Sequence, residues 1–270
     1  MDIINAVILG IVQGLTEFLP VSSSGHLVLL QKVFGIAEPT LFFDTMLHTG
    51  TLLAVFVVLR REIWAILRRP VQPFTGLLII ATIPAVVSAL LFRKKIEHAF
   101  ESGQFLGIAF LITTAFLVIA EILSRRARTG GLKKADNTGW LDALIIGVLQ
   151  AVAIIPGVSR SGATISGALY RGLDREFAAR FSFLLSIPAI LGAVVLQTKD
   201  LVKGASVAEA GGIGVAAVIA GTLSAAVVGF FAMRFLLKII KEKSLFGFAV
   251  YTAVLGLLVL IDRFGTHFVF

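Results

Sequence analysis

No cysteine occurs among the 270 residues, which excludes a disulfide framework and thiol chemistry and leaves the compartment open. Charge is scarce as well. Only 15% of the residues are charged against 57% hydrophobic, and the mean hydropathy is +0.97. That shortage excludes an ordinary soluble domain and predicts an all-α polytopic membrane protein. The opening residues Met1, Asp2, Ile3, Ile4 and Asn5 lack the positive region of a signal peptide, so the first apolar segment is expected to stay in the mature protein. Lys and Arg outnumber Asp and Glu by 24 to 16, but they fall mainly in short loops. That placement suits anionic lipid headgroups and cytoplasmic anchoring, not a nucleic-acid face.

What is present is a succession of apolar runs separated by Gly, Pro and charge. They lie at 3–19, 27–34, 41–59, 76–92 and 105–123, then at 141–155, 163–170, 177–196, 211–237 and 246–261. The second five repeat the layout of the first five. ILGIVQ at 8–13 matches IIGVLQ at 145–150, and VSSSG at 21–25 matches VSRSG at 158–162, both at a spacing of 137. Gly, Gln and Ser agree along with the aliphatics, which chance likeness between apolar runs does not require. The expected organisation is a first repeat over 1–123, a basic linker over 124–138 and a second repeat over 139–270.

In each repeat the first two runs are short and meet at a break rich in Pro, Ser and Gly. A helix of eight to ten residues cannot cross ~30 Å of hydrocarbon at about 1.5 Å per residue. The pairs at about 3–34 and 141–170 are therefore expected to be re-entrant hairpins whose tips are buried in protein or line a wet cavity. Three crossings then remain per repeat, an odd number, so the second repeat is expected to be inverted relative to the first.

Sidedness follows from the basic residues. Arg60, Arg61, Arg68, Arg69, Arg125, Arg126, Arg128, Lys133, Lys134, Arg171, Arg175, Lys238, Lys241 and Lys243 fall on one side, fourteen in all. Lys32, Arg93, Lys94, Lys95, Lys199, Lys203 and Arg263 make seven on the other. The first set is expected in the cytoplasm and both termini outside.

Two stretches carry the chemistry. Gln13 and Glu17 share a helix face just before Pro20, and a carboxylate inside an apolar run is by default a site candidate. Glu17 fits a general base, a group orienting a base, or a cation ligand; an interfacial or helix–helix hydrogen-bonding role is its bland alternative. Ser22, Ser23 and Ser24 precede the next run and can cap its helix, whose free N–H groups suit an anion. With His26 beside them they also fit a nucleophile with its base, or a cluster of phosphate donors. In the second stretch Ser159, Ser161, Gly162 and Thr164 surround Arg160, a planar permanent cation suited to two phosphate oxygens or to a structural carboxylate. Asp44 and His48 share a face of the third run. Asp44 is the best second carboxylate for a cation or for holding His26, and either residue fits equally an interfacial polar position. No role falls to His98, expected in a loop, or to His267 in the tail. Trp64 and Trp140 fit interface belts, and the glycines 211–214 and 221 fit close helix packing.

The motifs QGLTEFLPVSSSGH at 13–26 and PGVSRSGATISG at 156–167 resemble those of the undecaprenyl-diphosphate phosphatases of the BacA/UppP type, and the likeness spans the chain. The resemblance implies a bacterial plasma-membrane hydrolase that removes the terminal phosphate of a C55 polyprenyl diphosphate and so recycles the carrier of cell-wall precursors. It further implies inverted repeats, an outward-opening site and dependence on a divalent cation, Mg2+ or Ca2+. Its acidic pair maps onto Gln13 and Glu17, its histidine onto His26, its serines onto Ser22 and Ser23 and its arginine onto Arg160. Many members carry Glu where this chain has Gln13. The expected partners are the lipid diphosphate and membrane lipids, with no nucleic acid. The expected chemistry has Arg160 with Ser159, Ser161 and Thr164 clamping the diphosphate, Ser23 or an activated water attacking, and His26 backed by Glu17 taking the proton. Glu17 and Asp44 are the expected metal ligands. A transporter or flippase of a lipid-linked or small anionic substrate is the alternative that inverted repeats also allow.

Overall fold

A computed structural model describes residues 1–36, 41–127, 132–202 and 213–269. Among them are eleven α-helices and no strand: α1 Ile3–Phe18, α2 Ser23–Val33, α3 Leu41–Val58, α4 Arg60–Arg68, α5 Pro73–Ser102, α6 Leu106–Ala127, α7 Trp140–Val152, α8 Arg160–Tyr170, α9 Arg175–Val202, α10 Val215–Ile239 and α11 Phe246–Ile261. Five of these helices are long and apolar enough to cross a membrane, or six if α3 with α4, bent by 79° at Leu59, is counted as one span. Large apolar side chains stay exposed along them, among them Ile79, Leu91, Val195, Phe231 and Val250. Water would not tolerate that surface, whereas acyl chains do. The chain is an all-α polytopic membrane protein.

Within this plan α1 and α7 are apolar but short, 16 and 13 residues, and each is followed after a break by an 11-residue helix. The packing exchanges the two halves. α1 lies against α10 and α7 against α5, so each short helix rests on the middle long helix of the other half, while α3 meets α9 and α6 meets α11. Glycine makes the close approaches possible. A Cβ on Gly147 would sit 2.5 Å from the Ala81 carbonyl oxygen of α5, and one on Gly10, 137 positions earlier, would run into the Gly221 carbonyl of α10. Gly221 thus fulfils the close-packing expectation. Gly214 only caps α10, and Gly211 and Gly212 lie outside the described residues.

Two expectations need correction. The stretch with Arg60 to Arg69, expected as a loop, is mostly the amphipathic helix α4, with Trp64 and Leu67 exposed and the Arg68 guanidinium 5.0 Å from the Trp64 ring centre. The apolar run ends at Leu59, but helical periodicity survives the change to Arg and the helix merely turns. His98 likewise lies on a helix, because α5 passes the non-helical Phe92 and continues to its left-handed Gly103 cap. Trp64 and Trp140 are both exposed, as interface residues are.

The basic stretches assigned to one side do meet at one end of the bundle. Arg180 pairs with Glu62 of α4 and with Glu176, whose other oxygen holds Lys241 at 2.7 Å. Asp142 holds Lys133 and Arg171 at 2.9 and 2.7 Å. The buried Arg175 joins Glu121 of α6 at 3.0 Å and also bonds the Ile240 and Lys243 carbonyls, tying the turn after α10 to α6 and α9. Arg128 of that set, and Lys203 of the opposite one, lie outside the described residues.

Candidate functional site

The two helix breaks meet. Before α2 the backbone turns through Ser22 at φ 74°, a left-handed conformation that costs a non-glycine residue about 1–3 kcal/mol and collects at functional sites. Before α8 the same need is met by Gly157 at φ 90°, where a Cβ would also lie 2.8 Å from Ala109 and Leu106. Ser22 Oγ accepts from Gly25 N at 3.2 Å and Ser159 Oγ from Gly162 N at 3.0 Å, so equivalent serines cap the two short helices. The tips are stitched together by Ser161 Oγ donating to the Leu19 carbonyl at 3.0 Å and by Gly157 N donating to Ser24 Oγ at 3.3 Å. Ser159 N donates to Thr113 Oγ1 of α6 at 2.9 Å.

Glu17, at the end of α1, is the centre of this junction and is almost fully buried. Its Oε1 accepts from Arg160 NH2 at 2.6 Å. Its Oε2 accepts from Ser23 Oγ at 2.6 Å and from Gln13 Nε2 at 3.0 Å, with His48 Nε2 3.5 Å away. Arg160 NH1 donates to the Ser182 carbonyl of α9 at 3.1 Å. Acid and guanidinium from opposite halves are thus in direct contact, and a hydroxyl lies on the same acid. The first N–H groups of α2 and α8 have no partner within their own helices, and Ser23 and Arg160 are the first residues of those helices. An anion is favoured at such a place.

Several expected site residues are placed differently. His26 is not against Glu17: its Nδ1 lies 2.6 Å from the Ser22 carbonyl and its Nε2 2.7 Å from the Tyr251 hydroxyl of α11, with the two rings stacked at 5.6 Å. A carbonyl only accepts, so Nδ1 carries a proton, and the ring holds the strained Ser22 turn in place. Glu17 instead takes the Ser23 proton donor directly. Ser159, Ser161 and Thr164, expected as phosphate donors, are buried and bonded within the protein; Thr164 Oγ1 donates to the Arg160 carbonyl at 2.9 Å and lies 2.6 Å from Ser182 Oγ. They shape the support of Arg160. Gly162 gives its N–H to Ser159, and Ser24 supports the tip junction.

The expected metal ligands are each engaged within the protein, on either side of His48. Asp44 Oδ1 accepts from Gln31 Nε2 at 2.7 Å, while both Glu17 oxygens are engaged by Arg160, Ser23 and Gln13. Among the described residues no group of three or more His, Cys, Asp or Glu side chains is placed to hold a metal ion. This donor set does not fit a metal centre built from protein side chains. His48, Tyr251, Ser182 and Thr113 are contributions that sequence reasoning missed. His48 alone had a signal, its shared face with Asp44, and nothing in that spacing connects it to Glu17.

Fold and site together define a polytopic membrane protein with a serine, a carboxylate and a guanidinium gathered where two helix N-termini meet. The family model described as bacitracin resistance protein BacA matches residues 6–258. The chain belongs to that family. It is 48% identical over 261 residues to an undecaprenyl-diphosphatase of Carboxydothermus hydrogenoformans, covering 97% of each chain. It is 47% identical over 268 residues to undecaprenyl-diphosphatase 3 of Bacillus cereus, covering 99% of this chain and 100% of that one. An undecaprenyl-diphosphatase of Methanosphaera stadtmanae is 39% identical over 283 residues, covering 97% of this chain and 98% of the relative.

Proposed function

We propose that the chain is an integral membrane phosphatase that hydrolyses undecaprenyl diphosphate to undecaprenyl phosphate and inorganic phosphate. The observation that carries this reading is the shared carboxylate: Ser23 and Arg160 both bond Glu17 at 2.6 Å, through different oxygens. A hydroxyl poised on a base, beside a permanent cation, is what attack on phosphorus requires. The names of the relatives supply the lipid, and a bilayer-embedded site explains how a long polyprenyl chain can stay in its solvent while the diphosphate is cut.

In this mechanism Glu17 holds the place of an anion. The arriving diphosphate takes Arg160 from Glu17, freeing one carboxylate oxygen and fixing the terminal phosphoryl group beside Ser23. Ser23 attacks in line with the departing lipid monophosphate, and Glu17 Oε2 takes its proton. The N–H groups at the starts of α2 and α8 share the equatorial charge. Water then cleaves the phosphoserine. His26 acts by holding the Ser22 turn, and so Ser23, in register. A divalent cation, Mg2+ or Ca2+, would supply charge neutralisation for the diphosphate if it arrived with the substrate; among the described residues no cluster of three or more side chains is placed to hold it.

The exchanged packing of the halves supports a reading as inverted repeats, 1–123 and 139–270, in which α1–α2 and α7–α8 are re-entrant hairpins and three helices cross in each half. The gathering of basic residues at one end supports a cytoplasmic placement of that end in a bacterial inner membrane, with the site opening outward.

The reading is tested with purified protein in detergent, offered undecaprenyl diphosphate, undecaprenyl phosphate and inorganic diphosphate at equal concentration. It predicts one phosphate per lipid diphosphate and none from the monophosphate. Equal turnover of inorganic diphosphate, or no release from the lipid, contradicts it.

A further inference from the structure

Two-step phosphoryl transfer through Ser23 leaves Glu17 protonated after the first step, yet the second step needs it ionised again to deprotonate water. Among the described residues four side chains reach its oxygens: Gln13, Ser23, Arg160 and His48. Gln13 does not titrate, Arg160 does not give up its charge, and Ser23 carries the phosphoryl group at that moment. That leaves His48. Its Nδ1 faces the Asp44 carbonyl at 2.7 Å, and since a carbonyl only accepts, Nδ1 carries the hydrogen and the neutral ring's lone pair is on Nε2. Nε2 is 3.5 Å from Glu17 Oε2, the same oxygen that accepts from Ser23. The His48 side chain is 27% exposed where that of Glu17 is 5%, so His48 is the more open of the two. His26 is not available for this task, both its nitrogens being engaged by Ser22 and Tyr251.

We infer that His48 is the relay that resets Glu17 between the two half-reactions, an inference that rests on the serine-nucleophile reading above. In the first half-reaction the Ser23 Oγ–P bond forms, the bridging P–O bond breaks and its electron pair leaves on the lipid monophosphate. The Ser23 proton goes to Glu17 Oε2 and on to His48 Nε2. In the second, the water O–P bond forms and the Oγ–P bond breaks. Glu17 takes the water's proton and returns it to Ser23 Oγ, while His48 gives its own proton to solvent. One proton is released per phosphate. His48 acts through Glu17 and is a positioning and relay residue, distinct from the groups that touch phosphorus.

The test is a rapid quench of His48→Gln with lipid diphosphate labelled in its terminal phosphate, because Gln keeps a polar group near Oε2 that cannot take up a proton. The expected result is a burst of about one lipid monophosphate per protein, label accumulating on Ser23, and phosphate release slowed by at least about tenfold. Adding imidazole to His48→Ala is expected to restore phosphate release several-fold, a rescue that a merely misfolded variant does not show. Wild-type phosphate release by His48→Gln overturns the relay and leaves the serine reading intact if Ser23→Ala is dead. Equal slowing of both half-reactions without accumulated label, together with no imidazole rescue, also overturns it. Absence of label in every variant with an active Ser23→Ala overturns the serine reading and takes the relay with it.

Discussion

Ser23 and Arg160, 137 residues apart, occupy the same position in equivalent elements: each is the first residue of an 11-residue helix capped by the serine before it. Two like helix starts thus carry different chemistry, a hydroxyl on one and a cation on the other. Glu17 joins them, and its counterpart by the same spacing, Ile154, has no charge. The division of labour between the halves leads to several expectations.

Ser23→Ala removes the hydroxyl and leaves the Ser22 cap in place. Phosphate release is expected to fall by at least about 10²-fold with the melting temperature in detergent nearly unchanged. If the variant keeps more than about half of wild-type turnover, the nucleophile is water.

Arg160→Gln leaves Glu17 as an uncompensated buried charge, and Glu17→Gln does the same to Arg160. Each is expected to cost about 3–5 kcal/mol of stability, and the double variant to cost less than the sum of the two. A double-mutant cycle by thermal melting checks this. Activity should be lost in all three, since restored neutrality does not restore the base or the cation.

Asparagine at position 26 keeps a side-chain N–H near the Ser22 carbonyl, whereas alanine does not. His26→Asn is therefore expected to retain more activity than His26→Ala, and Tyr251→Phe to cost only about 0.5–1.5 kcal/mol and little turnover. Equal, complete inactivity of the Asn and Ala variants, with both folded, would point to proton transfer by His26 itself.

Gly147→Ala drives a Cβ toward the Ala81 carbonyl, against backbone that has no flexible end to move. A loss of about 1–3 kcal/mol is expected, measured by melting, along with reduced turnover because α7 carries the Arg160 tip.

If the cation arrives with the diphosphate, as the proposed function has it, chelation is expected to lower turnover without lowering the melting temperature. A marked loss of stability on adding EDTA to the substrate-free protein would show a metal centre held by side chains.

Much of this was legible in the sequence. The spacing of 137 located the two breaks, and α11 begins and ends where its apolar run does. The direct contact of Glu17 and Arg160 follows from two unusual residues at the tips of two repeats. What was hidden is what only three dimensions decide. His26 follows the serines by two residues, yet helical geometry carries its ring to Tyr251, 225 positions away. Ser159, Ser161 and Thr164 read as donors because their chemistry is right, but a buried hydroxyl must first satisfy its own neighbours. His48 reaches Glu17 because α3 lies beside α1, a fact of packing that no local pattern encodes.

The most direct test of the central claim follows the terminal phosphate of a labelled polyprenyl diphosphate in three purified proteins: wild type, Glu17→Gln and Arg160→Gln. Wild type should release the label and leave lipid monophosphate, while each variant, still binding the lipid, should be slower by about 10²-fold or more. Label release at wild-type rate by either variant would contradict the assignment of the chemistry to the meeting point of the two halves.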